Sequence, residues 1–318
     1  MARYVAKRLG LALITLVLLS VIVFAAAQLL PGDLGRSVLG REVSDEAVAE
    51  YNREHGLDRP IVVQYLDWAS GAVRGDLGNS LVPPEEPVWT VLRPALVNSL
   101  KLALYAFVLV VPFGILGGVI AGLNAGRLGD RAITIFGLPL AVIPDFITGL
   151  VLILVFAIWL GWLPVTAQWD EGAGPLTQVK YLTLPALALA IVLFGYIARI
   201  TRAGVIEALD ADYTRTAYLK GLPEGTVIRR HVLRNALLPT IAVIATQVGY
   251  LLGGLLAIEL MFNYRGIGLT VIEAATLKDY NMLAAGVLVI GFAYVLVTLV
   301  ADILFALLNP RIRYEAIE

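Results

Sequence analysis

The run from Leu9 to Leu30 contains no charged residue. A helix over it, at about 1.5 Å per residue, is long enough to cross a hydrocarbon core of about 30 Å. The run also exceeds the apolar core of a cleavable leader, typically about 7 to 15 residues, so it is expected to remain as a first membrane span. Five further apolar stretches follow, over residues 102–126, 132–164, 181–198, 236–262 and 282–308. With 59% hydrophobic and only 15% charged residues, the whole chain suits a bilayer better than water. The expected fold is an all-α membrane protein of six transmembrane helices.

Six spans return both termini to the same side. Cationic loops stay in the cytoplasm, so the lysines and arginines near span ends fix which side that is. Arg3, Lys7 and Arg8, then Arg127 and Arg131, then the series from Arg199 to Arg234, then Arg311 and Arg313 all alternate onto one side. That side is read as cytoplasmic. The stretch from Gly32 to Val97 is rich in Asp and Glu and is read as an external insertion. Loops this long hold structure of their own. Ser44 is placed to cap a helix with Asp45 and Glu46 in its first turn, and Gly56 to stop it. Pro60 opens a second helix along which Tyr65, Trp68, Ala69 and Val73 recur at helical spacing, until Gly75-Asp76-Leu77-Gly78 breaks it. The insertion is either a cap packed on the spans or a docking platform for an external partner. The resulting division is 1–30 for the N-terminal segment and first span, 31–100 for the insertion, and 101–318 for a core carrying the other five spans.

Composition also excludes chemistry. There is no cysteine, and only His55 and His231 stand in the histidine column, so thiolate chemistry is absent and a histidine-built metal site is not expected. No Gly-x-x-x-x-Gly-Lys-Ser/Thr loop is present to cradle phosphates, and no His-Glu-x-x-His pair to hold a catalytic zinc. A net charge of -1 gives no footprint for nucleic acid. The chain is read as non-catalytic and as binding no cofactor itself.

The cytoplasmic segment 199–235 carries the most specific pattern. Asp210 or Asp212 is placed to cap a short helix through Tyr213, Thr214, Arg215, Thr216, Ala217, Tyr218, Leu219 and Lys220, with Gly221 and Pro223 ending it. Thr216 and Ala217 are small enough for another surface to approach the backbone, and Tyr213 and Tyr218 are aromatic anchors of the kind enriched in interfaces. From Pro223 a basic helix with Arg229, Arg230, His231 and Arg234 leads back to the membrane. Positive-inside retention alone also accounts for those arginines.

Several single residues stand out. Asp145 follows Pro144 inside the third span, where a carboxylate costs a few kcal/mol unless paired or wetted. It either faces a translocation pathway or caps a helix resumed after the proline. Arg265, Lys278 and Asp279, with Glu259 nearby, lie at or beyond the outer end of the fifth span and are candidates for docking an external partner. Asp302 is expected to pair with a basic residue, and Gly266 and Gly268 to serve a turn. Glycines such as Gly114, Gly117, Gly118 and Gly122 fit close helix approach.

From end to end the sequence resembles the inner-membrane permease of the dipeptide, oligopeptide and nickel branch of binding-protein-dependent ABC importers. The resemblance rests on Leu30-Pro31-Gly32-Asp33, Gly56-Leu57-Asp58-Arg59-Pro60 with Gln64-Tyr65, Arg74-Gly75-Asp76-Leu77-Gly78, the loop from Asp212 to Pro239, and Asp302 with Asn309-Pro310-Arg311-Ile312-Arg313-Tyr314. It implies a type I importer fold, with 199–235 as the segment that inserts into a groove on an ATPase subunit through Tyr213, Arg215, Thr216, Ala217, Lys220 and Gly221. Arg215-Thr216-Ala217 stands before Gly221 where the general importer motif has Glu-Ala-Ala. The resemblance further implies a homologous second permease, two ATPase domains holding ATP and magnesium, an external substrate-binding protein, and a bacterial or archaeal cytoplasmic membrane. Peptides are the expected cargo. Nickel chelates or oligosaccharides, and an ion-coupled secondary transporter, are the alternatives.

Overall fold

A computed structural model describes residues 2–29, 33–40, 42–170 and 172–308. The expectations placed on Leu30-Pro31-Gly32 and on 309–314 lie outside the described residues, as does the Asp302 side chain. Among the described residues the structure is helical, with a single isolated bridge between Asn79 and Pro87 in place of any sheet. Five helical segments are long and apolar enough to cross a membrane: Arg8–Gln28, Val88–Leu123, Pro175–Asp210, Glu224–Gly249 and Tyr280–Ala301.

The chain forms two compact units, Met1–Leu100 with Arg265–Leu296, and Lys101–Tyr264 with Val297–Glu318. The first contains α1 (Ala2–Leu29), α2 (Leu34–Leu39), α3 (Asp45–Glu54), α4 (Ile61–Val73), the start of α5 (Val88–Leu123), α12 (Ile267–Leu277) and most of α13 (Tyr280–Leu308). Its insertion follows local rules closely. The Ser44 hydroxyl accepts from the Ala47 N–H at the start of α3, with Asp45 and Glu46 in the first turn, and Gly56 takes φ +64 just past the end. The left-handed backbone suits glycine, and a Cβ there would also meet the Arg59 guanidinium at 2.8 Å. Pro60 precedes α4, which ends at Arg74 before Gly75 at φ +86.

The segments that carry the family resemblance here are folding devices. Asp33 accepts from the Arg36 N–H at 2.9 Å to cap α2 and from Asn52 Nδ2 at 2.7 Å to tie α2 to α3. Gln64 donates to the carbonyls of Leu57 and Arg59 and accepts from Gln28 Nε2 at 2.8 Å. That last bond, a 3.0 Å contact between the Tyr65 and Ser20 hydroxyls, and the packing of Phe24 on Tyr65 and Trp68 hold α4 against α1. The insertion is thus a packed cap on its own span.

The second unit holds the rest of α5, α6 (Leu128–Leu140), α7 (Asp145–Leu152), a π-helical continuation over Ile153–Trp159, α8 (Pro175–Asp210), α9 (Asp212–Leu219), α10 (Glu224–Val227), a π-helical turn over Ile228–Val232, and α11 (Leu233–Met261). Gly114, Gly118 and Gly122 recur every four residues on α5. A Cβ at Gly114 would lie 2.8 Å from Ile197, one at Gly122 would lie 2.6 Å from Val205, and one at Gly118 would strike Thr201, so this stripe sits against α8 at the same four-residue spacing. Small residues permit such approach where lipid tails offer no hydrophobic gain between helices. The Thr201 and Thr240 hydroxyls meet at 3.1 Å, joining α8 to α11.

The third stretch, 132–164, is broken at the proline, as one reading of Asp145 has it: α6 ends at Leu140 and α7 starts at Asp145, because Pro144 lacks the N–H needed to continue the ladder and itself takes the cap position before the new helix. One expectation changes. The segment after the fifth span is not a loop around Gly266 and Gly268. It is α12, entered through Gly266 at φ -100, and the left-handed residue of this turn is Asn263 at φ 49.

Candidate functional site

The helix α8 is 36 residues long, about 54 Å at 1.5 Å per residue, well beyond the hydrocarbon thickness of a bilayer. A helix of that length does not fit within the apolar zone, and α9 is attached at its C-terminal end. A single extended residue, Ala211 at φ -71 and ψ 145, makes the connection. Neither Asp210 nor Asp212 caps α9 through its side chain, contrary to the sequence expectation. Ala211 occupies the cap position, and Asp212 sits inside the first turn, where its charge still complements the helix dipole. The tie to α8 is instead made by Thr214, whose Oγ1 donates to the Ala208 carbonyl at 2.6 Å.

The two faces of α9 have different roles. Thr214 and Ala217 point inward, and Ala217, only 3% exposed, packs in a cluster with Val205 and Ala208 of α8, Val227, Val232 and Ala236. Ala217 is therefore not a residue that a partner touches, as its small size had suggested; its smallness serves the chain's own core. Gly221 ends the helix at φ +72, and the following Leu222 folds back onto the same cluster. Tyr213, Arg215, Thr216, Tyr218, Leu219 and Lys220 remain on the exposed side, with Leu219 at 82% exposure. A helix locked from behind and presenting two tyrosines and a leucine in front suits insertion into a groove.

The sequence reading missed the electrostatic anchor of this region. Asp130, in the first turn of α6, is 4% exposed and receives both Nε and Nη2 of Arg202 from α8. It also accepts from the Gly126 N–H at 2.8 Å and from Thr134 Oγ1 at 3.2 Å. The Arg202 hydrogen bonds, followed by the Gly126 N–H, hold the Asp130 carboxyl well below the usual carboxylate range. A lone carboxylate among Arg127 and Arg131 is the available signal, while Arg202 looks in the sequence like one more charge of the cytoplasmic series.

Asp145 opens α7, with Oδ1 accepting from the Phe146 N–H at 2.9 Å. Its other oxygen lies against α11, where a Cβ at Gly254 would approach Oδ2 to 2.7 Å. Among the described residues no basic side chain pairs with it. Of the residues grouped around the start of α12 and α13, Arg265 is exposed and Lys278 half-buried, at φ 62 at the end of α12. Asp279 is not at a docking surface. At 3% exposure it accepts from Ser80 Oγ at 2.5 Å, the Leu81 N–H at 3.2 Å and the Met282 N–H at 3.1 Å, so it caps α13 and clamps the loop before α5. Glu259 is fully buried in α11. Replacing Asp279 with Ala should loosen the first unit by about 2 kcal/mol, from a lost cap and the orphaned Leu81 N–H. Limited proteolysis between residues 75 and 87 reads this out, and an unchanged cleavage rate would refute the clamp.

Residues 114–314 match the family model described as binding-protein-dependent transport system inner membrane component, and residues 1–90 match its N-terminal companion. The chain is similar to a di/tripeptide transport system permease protein of Pseudomonas aeruginosa, at 37% identity over 99% of this chain and 100% of that one. It is likewise similar to a glutathione transport system permease protein of Escherichia coli K12, at 35% identity over 99% and 100%. A crystal structure of an amino acid ABC transporter with histidines shares the fold, with a TM-score of 0.53 at 18% identity over 70% of this chain and 94% of that one.

Proposed function

The chain belongs to the family of binding-protein-dependent transport system inner membrane components and is a multi-pass permease of the peptide and nickel importer branch, and we propose that it imports short peptides. The names of the two permease relatives support that cargo. The observation that carries the coupling part of the proposal is α9, an eight-residue helix fixed from behind by Thr214 and Ala217 and exposed in front.

In this reading α6 and the α7–Trp159 segment together make a sixth, broken crossing, and both termini and α9 face the cytoplasm. ATPase subunits hold ATP and magnesium and receive α9 through Tyr213, Arg215, Thr216, Tyr218, Leu219 and Lys220, while Gly221 ends the helix behind them. A second permease completes the pathway, and an external binding protein delivers substrate, with Arg265 and Lys278 available to its acidic groups. ATP-driven closure of the ATPases moves α9, and with it α8, so the permease pair exchanges between inward-open and outward-open states. Asp145 faces the pathway and attracts the peptide ammonium.

Vesicles containing the purified complex, with the binding protein outside, test the function. Uptake of di- and tripeptides should require internal ATP and the ATPase subunits; uptake by this chain alone without ATP would favour a secondary transporter. In the same vesicles Asp145→Asn should reduce uptake about tenfold, the loss of one charge contact of about 1.4 kcal/mol, while leaving complex assembly intact. Equal loss of both, or loss of neither, would remove Asp145 from the pathway.

A further inference from the structure

The neighbouring helices α3 and α4 belong to one insertion but present opposite surfaces. The exposed residues of α3 include Asp45, Glu46, Glu50 and Arg53. On α4 the exposed side is apolar: Val62, Leu66 and Val73 are 68%, 59% and 89% exposed and follow helical spacing along one stripe. The opposite side of α4 is already used, since Gln64, Tyr65 and Trp68 pack on α1. Asp67 is the lone charged residue within α4, and it is paired with Arg59 at 2.7 Å. Such a stripe in water would be an exposed apolar patch without a purpose.

The contacts of α4 on α1 fall at Ser20, Phe24 and Gln28, one face of that helix, all inside the uncharged run that crosses the membrane. Ser20 lies eight residues before Gln28, so α4 reaches about 12 Å back along the span. A helix seated there is at the depth of lipid. On α1 itself, Val17, Leu18, Val21 and Ile22 are exposed around the contact. The apolar surface of the span and that of α4 are therefore neighbours in one environment.

We infer that α4 is an interfacial helix, with the Val62, Leu66 and Val73 stripe dipped into the acyl boundary of the leaflet at the C-terminal end of α1. It anchors the insertion to the bilayer surface, and Asp67 with Arg59 marks the headgroup side. The inference needs neither the cargo nor the energy source proposed above.

The absence of cysteine makes the test direct. Single nitroxide labels are placed at Leu66→Cys and Val73→Cys, with Glu50→Cys on α3 as the aqueous control, in the assembled complex reconstituted into phospholipid bilayers. Collision rates with oxygen and with a neutral nickel chelate are then compared. Labels at 66 and 73 should meet oxygen several-fold more often than the chelate, and the label at 50 should show the reverse. Frequent chelate collisions at 66 and 73 would put the stripe in water. Protection from both reagents would mean that a protein covers it. Either result overturns the inference while leaving the import assay untouched.

Discussion

Leu219→Asp should reduce peptide uptake by about thirtyfold or more in reconstituted vesicles, with no change in the thermal stability of the isolated permease. Leu219 is the most exposed apolar residue of α9, so in the free chain an aspartate there is simply hydrated. In a partner's groove it becomes a buried charge without a counter-ion, and a central interface side chain of this kind is commonly worth about 2 kcal/mol or more. ATP hydrolysis by the complex should lose its dependence on substrate. Ala217→Asp gives the contrasting outcome. That side chain points into the cluster of Val205, Ala208, Val232 and Ala236, so the charge is buried in the permease itself and stability falls together with uptake. The two substitutions lie two residues apart and separate a contact from a core. Equal stability loss in both, or unimpaired uptake in Leu219→Asp, would show that the exposed side of α9 is not the coupling surface.

Arg202→Ala should destabilise the second unit by about 3 kcal/mol, because it leaves the nearly buried Asp130 carboxylate without its main partner. Asp130→Asn should cost less, since Arg202 is one-third exposed and can turn toward solvent. The double variant should recover part of the loss, giving a coupling term measurable by thermal unfolding in detergent. Additive losses would deny the pair. The same geometry gives a pH dependence. Hydrogen bonds from Arg202, then from the Gly126 N–H, lower the Asp130 pKa in the folded protein, so the pair contributes fully above the unfolded carboxylate value of about 4. Its contribution is lost as pH falls from there through the folded value. Wild type should accordingly lose stability over that acid range, and Asp130→Asn should show a flatter profile.

What the sequence made legible was local. The caps and stops of α3 and α4 depend on Ser44, Gly56, Pro60 and Gly75, residues whose backbone preferences act within a few positions, and they appear where those preferences put them. Helix ends beyond the membrane were not legible. The second apolar stretch starts at residue 102, yet α5 begins at Val88, since a charge ends an apolar run without ending a helix. For the same reason α8 continues to Asp210. In the 199–235 segment, composition identified a short helix and its small residues but could not say which side Ala217 faces. That depends on Val205 and Ala236, which approach from two other helices. The Asp130–Arg202 pair joins residues 72 positions apart, and Asp279 meets Ser80 across 199. Neither spacing leaves a periodic mark.

The cluster behind α9 also defines what can be exchanged between related permeases. Its buried members come from α8, α9, α10, the turn over Ile228–Val232 and the start of α11, so the outward surface of α9 and the packing that holds it are not encoded in one short stretch. A chimera that borrows only Asp212–Gly221 would set foreign inner residues against a native socket. The smallest portable piece runs from Val205 to Ala236, and within it the outward residues are free to diverge while Thr214, Ala217 and their neighbours must be inherited together.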